Sequence, residues 1–300
     1  MNIFFYRNIR LHLSVVIFNW MFFYSIFSNK IYSQEKIENK YKYSLKFAVG
    51  FGKYKLRDKV FSPLRYGGTS VPISLQFKSN RNKKLIHNIS FFYDNFEASS
   101  SITRKYDWSA NYVNAFSGEL NYTIAKKMKP SFAKWFSNVY VGLGWKNFFS
   151  LKQYQITKNN SQGSVDFISS LNFCLNMEKK LNRRSFLLFN VRYAFFAYVW
   201  GRVRHPLDIP NLIDVDEVNN FSNDNDIGLG GISVGDALRT GDFLTLNRLI
   251  QLETQLEYKY SFSKRIDFVA TYHFRFYQYK KFSLTSVGNS NLLTGIIFKL

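Results

Sequence analysis

The feature that most constrains this chain is a strict alternation of apolar and polar side chains, sustained over unusually long runs. Tyr41, Tyr43, Leu45, Phe47, Val49 and Phe51 alternate with Lys42, Ser44, Lys46, Ala48 and Gly50. Val71, Ile73, Leu75 and Phe77 alternate with Pro72, Ser74, Gln76 and Lys78. Toward the end, Ile250, Leu252, Leu256 and Tyr258 oppose Gln251, Glu253, Gln255 and Glu257, and Ile266, Phe268, Tyr272, Phe274 and Phe276 oppose Asp267, Thr271, His273 and Arg275. Successive side chains of an extended strand point to opposite faces, so each run is a strand with one apolar and one polar face. The runs last roughly 10 to 16 residues, whereas strands of soluble sandwiches usually have about 5 or 6. Their apolar faces are rich in aromatics, and the whole chain carries 32 Phe and 20 Tyr.

Ten such strands are predicted, near 41–52, 69–79, 84–97, 110–125, 137–149, 164–178, 185–200, 244–261, 265–279 and 287–300, with eight or twelve as alternative counts. Connections after the even strands are short or compact (80–83, 126–136, 179–184, 262–264). Those after the odd strands are mostly longer (53–68, 98–109, 150–163, 201–243, 280–286). Short turns on one side and long loops on the other are the pattern of a membrane barrel whose ends both lie on the short-turn side. After residue 40 there is no uninterrupted apolar run of about 18 residues, the length a spanning helix needs. In hydrocarbon a sheet satisfies its backbone groups only with its edges joined, so the first strand is expected to pair with the tenth. The fold class is therefore all-β, a transmembrane antiparallel β-barrel.

Residues 1–33 read differently. Arg7 and Arg10 precede an apolar stretch from Leu11 to Phe27, no acidic residue appears before Glu35, and Ser33 offers a small residue before Gln34. That order is a secretory signal peptide, which leaves 34–300 as the barrel, with a long outer loop over 201–243.

The chain ends on Gly295-Ile296-Ile297-Phe298-Lys299-Leu300, with Leu292, Ile296, Phe298 and Leu300 on one face. Here the sequence resembles the outer-membrane β-barrel superfamily of Gram-negative bacteria, whose last strand closes on an apolar or aromatic residue. Leu300 stands where many members place Phe. The resemblance implies a bacterial outer-membrane location, contact with outer-membrane lipid and lipopolysaccharide, and recognition of the C-terminal strand by the barrel-insertion machinery. It covers the mature chain by pattern and points to no subfamily.

The formal charge of +21 raises nucleic acid as a partner, but the cations recur in small groups rather than in one recognition element, and no nucleic acid is expected. One group lies at the even turns: Arg81, Lys83 and Lys84; Lys126, Lys127, Lys129 and Lys134; Lys179, Lys180, Arg183 and Arg184. These are expected to face the periplasmic leaflet. A single cysteine, Cys174, excludes an internal disulfide and reads as a packed side chain. The alternation turns Lys42, Lys46, Asp94, Glu119, Arg192, Glu253, Glu257, His273 and Arg275 inward. Among them Arg192, Glu253, His273 and Arg275 form the candidate lumen charge cluster, with Glu253 placed near Thr271 or His273. Such a cluster is a salt-bridged filling of a narrow bore, a charged constriction that selects solutes or, third, a catalytic group.

In the long loop, Asn223-Asp224-Asn225-Asp226-Ile227-Gly228 starts like a calcium loop, with Asp224 and Asp226 as the candidate ligands. The closing glutamate is missing because position 235 is Gly, so no metal and no cofactor is assigned. Ten strands at this length also resemble the omptin proteases, whose acidic pair and Asp–His pair sit at the outer rim. His205 and Asp208 stand at the start of the long loop, but no Asp–His pair of the family's form and no partner acidic pair accompanies them. That activity is not carried over, and no catalytic residue is assigned. The expected function is a non-catalytic outer-membrane barrel with a structural or partner-binding role, taking a protein partner at its external loops. A porin-like passive channel for ions or small polar solutes is the alternative, and an outer-membrane hydrolase the third.

Overall fold

The computed structural model describes residues 42–59, 64–82, 84–100, 112–128, 135–157, 160–203, 241–246, 248–280 and 284–300. The expected signal segment 1–33, His205, Asp208, Asp224 and Asp226 lie outside the described residues, as does most of the expected loop over 201–243.

Eleven strands follow in chain order: β1 (Tyr43–Asp58), β2 (Arg65–Asn82), β3 (Leu85–Ser100), β4 (Tyr112–Met128), β5 (Asn138–Thr157), β6 (Asn160–Lys180), β7 (Ser185–Val203), β8 (Asp242–Thr245), β9 (Leu249–Ser261), β10 (Ile266–Lys280) and β11 (Leu284–Lys299). All pairings are antiparallel. The ladder runs β1 through β7, continues through β9, β10 and β11, and returns to β1 by fifteen pairs from Ser44↔Lys299 to Asp58↔Thr285. The sheet is thus closed and has ten staves. The eighth stave is interrupted: β8 pairs only with Phe196–Val199 of β7, while β9 pairs with Ser185–Tyr193 below it. The last strand lies where the sequence placed it, with Leu292, Phe298 and Leu300 exposed on the outside.

The ladder also sets the tilt. Following it once around from Ser185 leads through Tyr260, Ile296, Leu75 and Leu120 back to β7 at Tyr198. The return point is 13 residues beyond the start, and one of those is Phe195, bulged out between Ala194 and Phe196 opposite β6. A stagger of this size goes with strands inclined at about 40°.

The staves are longer than the alternation alone indicated. β5 has 20 residues and β6 has 21, and they meet across 158–159 where 150–163 had read as a loop. Likewise β1 and β2 are joined by 59–64 in place of 53–68, and β10 and β11 by 281–283 in place of 280–286. On β1 the cause is an inversion of faces. Low on β1, Phe47, Val49 and Phe51 point outward and Lys46 inward; higher up, Lys53 and Lys55 point outward while Tyr54 and Leu56 are buried. Period two persists, with its polarity reversed. At about 3.3 Å per residue and this tilt, a 20-residue stave stands about 50 Å tall, roughly twice the apolar band of an outer-membrane barrel. The upper half therefore projects beyond the bilayer.

Candidate functional site

The interior of the cylinder has two layers. In the lower layer, corresponding to the membrane-embedded half, four carboxylates and four permanent cations converge. Glu253 on β9 takes Arg192 Nη1 at 2.7 Å from β7 and Lys146 Nζ at 3.2 Å from β5, and His273 Nε2 of β10 lies 2.8 Å away. Lys146 also contacts Glu119 of β4 at 2.9 Å. Arg275 extends one guanidinium nitrogen to Glu119 at 2.6 Å and the other to Asp94 of β3 at 2.7 Å. Below them Lys46 binds Glu257 and donates to Thr271 at 3.1 Å. Phe92 supports the cluster, with the Arg275 guanidinium 4.0 Å above its ring and His273 set edge-on. Gly52 leaves room for the Ser70–Asn291 hydrogen bond, since a Cβ there would strike both side chains.

These side chains arrive from seven staves because each occupies an inward position of the alternation. Arg192, Glu253, His273 and Arg275 all face the lumen in one connected network with Lys146, Glu119 and Asp94, and Lys46 and Glu257 face it as a separate pair beside Thr271. Lys42 does not join them and is exposed just before β1. The ladder partner of Glu253 is Arg275. His273 reaches it diagonally, and Thr271 faces Glu257. Lys146 was overlooked in the sequence, although it shares the polar face of its strand with Gly142 and Gly144. Cys174 is a buried free thiol 4.0 Å from Thr123 Oγ1.

Removing an ion from water costs several kcal/mol, which only close pairing and further hydrogen bonds offset. The lower layer meets that requirement by leaving little space. The cavity lined by Lys46, Gln76, Glu119, Arg192, Glu253 and His273 encloses about 20 Å³, room for a water or two.

The upper layer is apolar and aromatic. Tyr54, Leu56, Tyr66, Phe96, Phe148, Tyr154, Ile168, Leu244, Leu249, Tyr277 and Tyr279 form one buried cluster. Tyr54 stacks on Phe96, Phe148 tilts against Tyr277, and Tyr66 meets Tyr154 edge-on. Within this plug sits a buried cation between two carboxylates. Lys152 binds Asp166 and lies 3.6 Å from Asp58. The Tyr154 hydroxyl donates to Asp58 at 3.1 Å and the Tyr279 hydroxyl to Asp166 at 2.8 Å.

Outside, the lower half is the reverse of a soluble surface. Phe51 is 69% exposed, Val71 61%, Phe173 56% and Trp145 52%, and the apolar side chains continue around the staves. A closed ladder with charges inside and a continuous apolar belt outside is stable only with hydrocarbon around it. The chain is a closed, membrane-type antiparallel β-barrel, and its apolar belt is the surface that meets lipid. The stave ends that carry Tyr43, Leu300 and the basic residues Lys84, Lys179, Lys180 and Arg184 form the short-turn rim, which in such barrels faces the periplasm.

No family model matches the sequence, and no curated protein matches it. Solved structures with a similar fold include the translocator domain of the autotransporter NalP from Neisseria meningitidis (6% identity, TM-score 0.43, covering 98% of each chain). The outer-membrane protease OmpT from Escherichia coli aligns at 7% identity and TM-score 0.47, over 89% of this chain and 99% of that one. Neisserial surface protein A aligns at 13% identity and TM-score 0.33, over 86% and 97%. Likeness at this level concerns fold alone. Among the described residues, no group of three or more His, Cys, Asp or Glu side chains is arranged to hold a metal ion.

Proposed function

We propose that this outer-membrane barrel is a non-catalytic, non-conducting wall element whose role is structural or partner-binding at its external rim. The observation that carries this reading is the filled bore: a layer of paired charges enclosing a cavity with room for a water or two, surmounted by an aromatic plug. Permeation by a hydrated ion requires a continuous wet path, and the Tyr54, Tyr154 and Tyr277 side chains stand across it. The upper half of the staves then serves as a rigid pedestal for the outer loops, where a protein partner would bind.

Single-channel recording of the purified barrel in planar bilayers tests this directly. A silent membrane is expected; discrete, reproducible steps of the wild-type protein would falsify it. The passive channel remains the second reading, and the charged lower layer is the observation in its favour.

A further inference from the structure

We propose that a second copy of this chain docks against the aromatic outer wall of β6–β9, the two barrels being related by a two-fold axis along the membrane normal. The inference goes beyond the proposed function and is independent of whether the bore conducts.

The upper edge of the lipid belt can be carried onto this wall from β1, where Phe51 is the last apolar outward residue before Lys53. Along the ladder, Phe51 leads through Leu292, Tyr272 and Leu256 to Phe189. The stagger of the cylinder raises the same level by about one and a quarter residues per stave. The edge therefore crosses β9 near Leu252 and β7 near Ala194, and Ile250, Phe196, Tyr198, Trp200 and Phe243 stand above it. At that height β1 and β2 carry Lys53, Lys55 and Thr69; here the outward side chains are apolar and aromatic. Phe243 is 69% exposed, stacks on Phe196 at 5.5 Å and meets Tyr198 edge-on at 5.2 Å. Trp145, Leu171 and Phe196 are ladder neighbours at the edge itself, and Phe173 below them lies 4.4 Å from Phe195. None of the described outward positions of β5, β6 and β7 above the edge is charged. The exposed charges Asp242 and Arg248 bracket Phe243 in sequence, as charges border the apolar centre of an interface.

The occupant has to be apolar on both sides of the hydrocarbon edge, because the column runs from Phe173 in the belt to Phe243 above it. Lipid covers only its lower part, and a partner confined to water only its upper part. A second barrel covers both. Insertion holds every copy upright with the same end outward, so a patch at one height meets its own image across a two-fold axis, and the contact closes at two copies. The area suffices. At about 200 Å² for a fully exposed large side chain, Trp145, Leu171, Phe173, Phe196, Phe243 and Ile250 expose about 600 Å² per copy. Two copies thus offer about 1,200 Å², above the roughly 1,000 Å² expected of a specific interface. The wall is also interrupted here. β7 pairs with β9 as far as Tyr193↔Leu252 and with β8 from Phe196↔Thr245, and Leu249, Ile250 and Gln251 pair with β10 alone. A rigid neighbour braces that break.

Cross-linking of the full chain in intact membranes tests the contact. The single cysteine, Cys174, is buried, so F243C adds one accessible thiol. With a short bis-maleimide, F243C is expected to give a covalent dimer of this chain as its main product, and K55C, on the opposite wall, none. Native mass spectrometry of the wild type in mild detergent is expected to show the same dimer, with F196K/F243K dissociating at least about tenfold more readily. Heat-modifiable gel mobility verifies that each variant is a closed barrel, and the cross-linking result stands by itself if the lysine variant does not close. The proposal is overturned if F243C stays monomeric, which leaves lipid as the cover, if K55C cross-links as well, which indicates random collision, or if F243C is captured by a different protein. It is overturned too if F243C resists a monofunctional maleimide in a monomeric barrel, since the chain then covers its own wall, or if F196K/F243K keeps the wild-type dimer, which places the interface elsewhere.

Discussion

The two layers of the lumen share the same ten staves and the same alternation, yet their chemistry is opposite. In the lower half the outside is lipid, so apolar side chains are used outward, and the inward positions carry Lys46, Lys146, Arg192 and Arg275 against Asp94, Glu119, Glu253 and Glu257. In the upper half the β1 wall turns polar residues such as Lys53 and Lys55 outward, while the β5–β8 wall keeps Phe149, Leu151, Val165, Phe167 and Phe243 outward, and the interior becomes an apolar, aromatic core. On β1, which face of the strand is apolar is therefore decided by the surrounding solvent, and that stave changes solvent part-way along its length. The lower layer holds by paired charge and the upper by packing, with one charged triad enclosed in it.

The comparison is broken most strongly by emptying the upper layer. Truncating two large core side chains costs about 3–5 kcal/mol each, and the double change Tyr54→Ala with Tyr277→Ala is expected both to lower the unfolding midpoint in vesicles and to produce conductance steps. Neutralising the lower layer at Glu119→Gln should leave the bilayer silent. Steps from Glu119→Gln alone would place the barrier in the charged layer instead.

Next in size is the triad. Lys152→Met leaves Asp58 and Asp166 buried without their cation, and breaking a buried pair from one side costs about 3–5 kcal/mol. Urea unfolding followed by tryptophan fluorescence measures it; a change under about 1 kcal/mol would mean that water reaches the plug. Arg275→Met, which leaves Asp94 without a cation and Glu119 with Lys146 alone, is expected in the same range by the same measurement.

A smaller effect separates packing from hydrogen bonding. Tyr154→Phe keeps the ring against Tyr66 and removes only the hydroxyl that donates to Asp58. A loss of about 1–3 kcal/mol is expected, since a buried acceptor forfeits one partner. No measurable loss would show that the ring alone holds the plug.

The same two regions explain how much was legible in the sequence. The lower half was readable because lipid imposes a polar-in, apolar-out code on every stave, and that code turned Arg192, Glu253, His273 and Arg275 inward along with Lys46, Asp94, Glu119 and Glu257. The upper half was not. Lys53-Tyr54-Lys55-Leu56-Arg57-Asp58 still alternates, but with charges outward, and a charged segment of this kind reads as a loop that takes Asp58 with it, as the loop expected over 150–163 takes Lys152. Register was a second limit. The β9–β10 turn is set by Phe262 and Ser263 amides donating to the Ile266 carbonyl and by Ser263 Oγ accepting from Ile266, which places Glu253 across from Arg275. Periodicity alone fixes the face of a residue, not its opposite number. The break at 246–248 left no sign because the alternation of β9 resumes immediately beyond it.

The ladder that joins β1 to β11 also bears on how the cylinder is assembled. Ser44 meets Lys299, 255 positions away in sequence, while nearly every other contact between staves joins consecutive hairpins. Most of the sheet can therefore form locally and early, and the closing seam is the step that bears the loop-closure entropy, a penalty that grows only as the logarithm of the intervening length. Until that seam forms, two raw strand edges stand open, and each is a template for pairing with another copy. The vulnerable period in the life of this protein is thus the interval between its last hairpin and its first complete circumference.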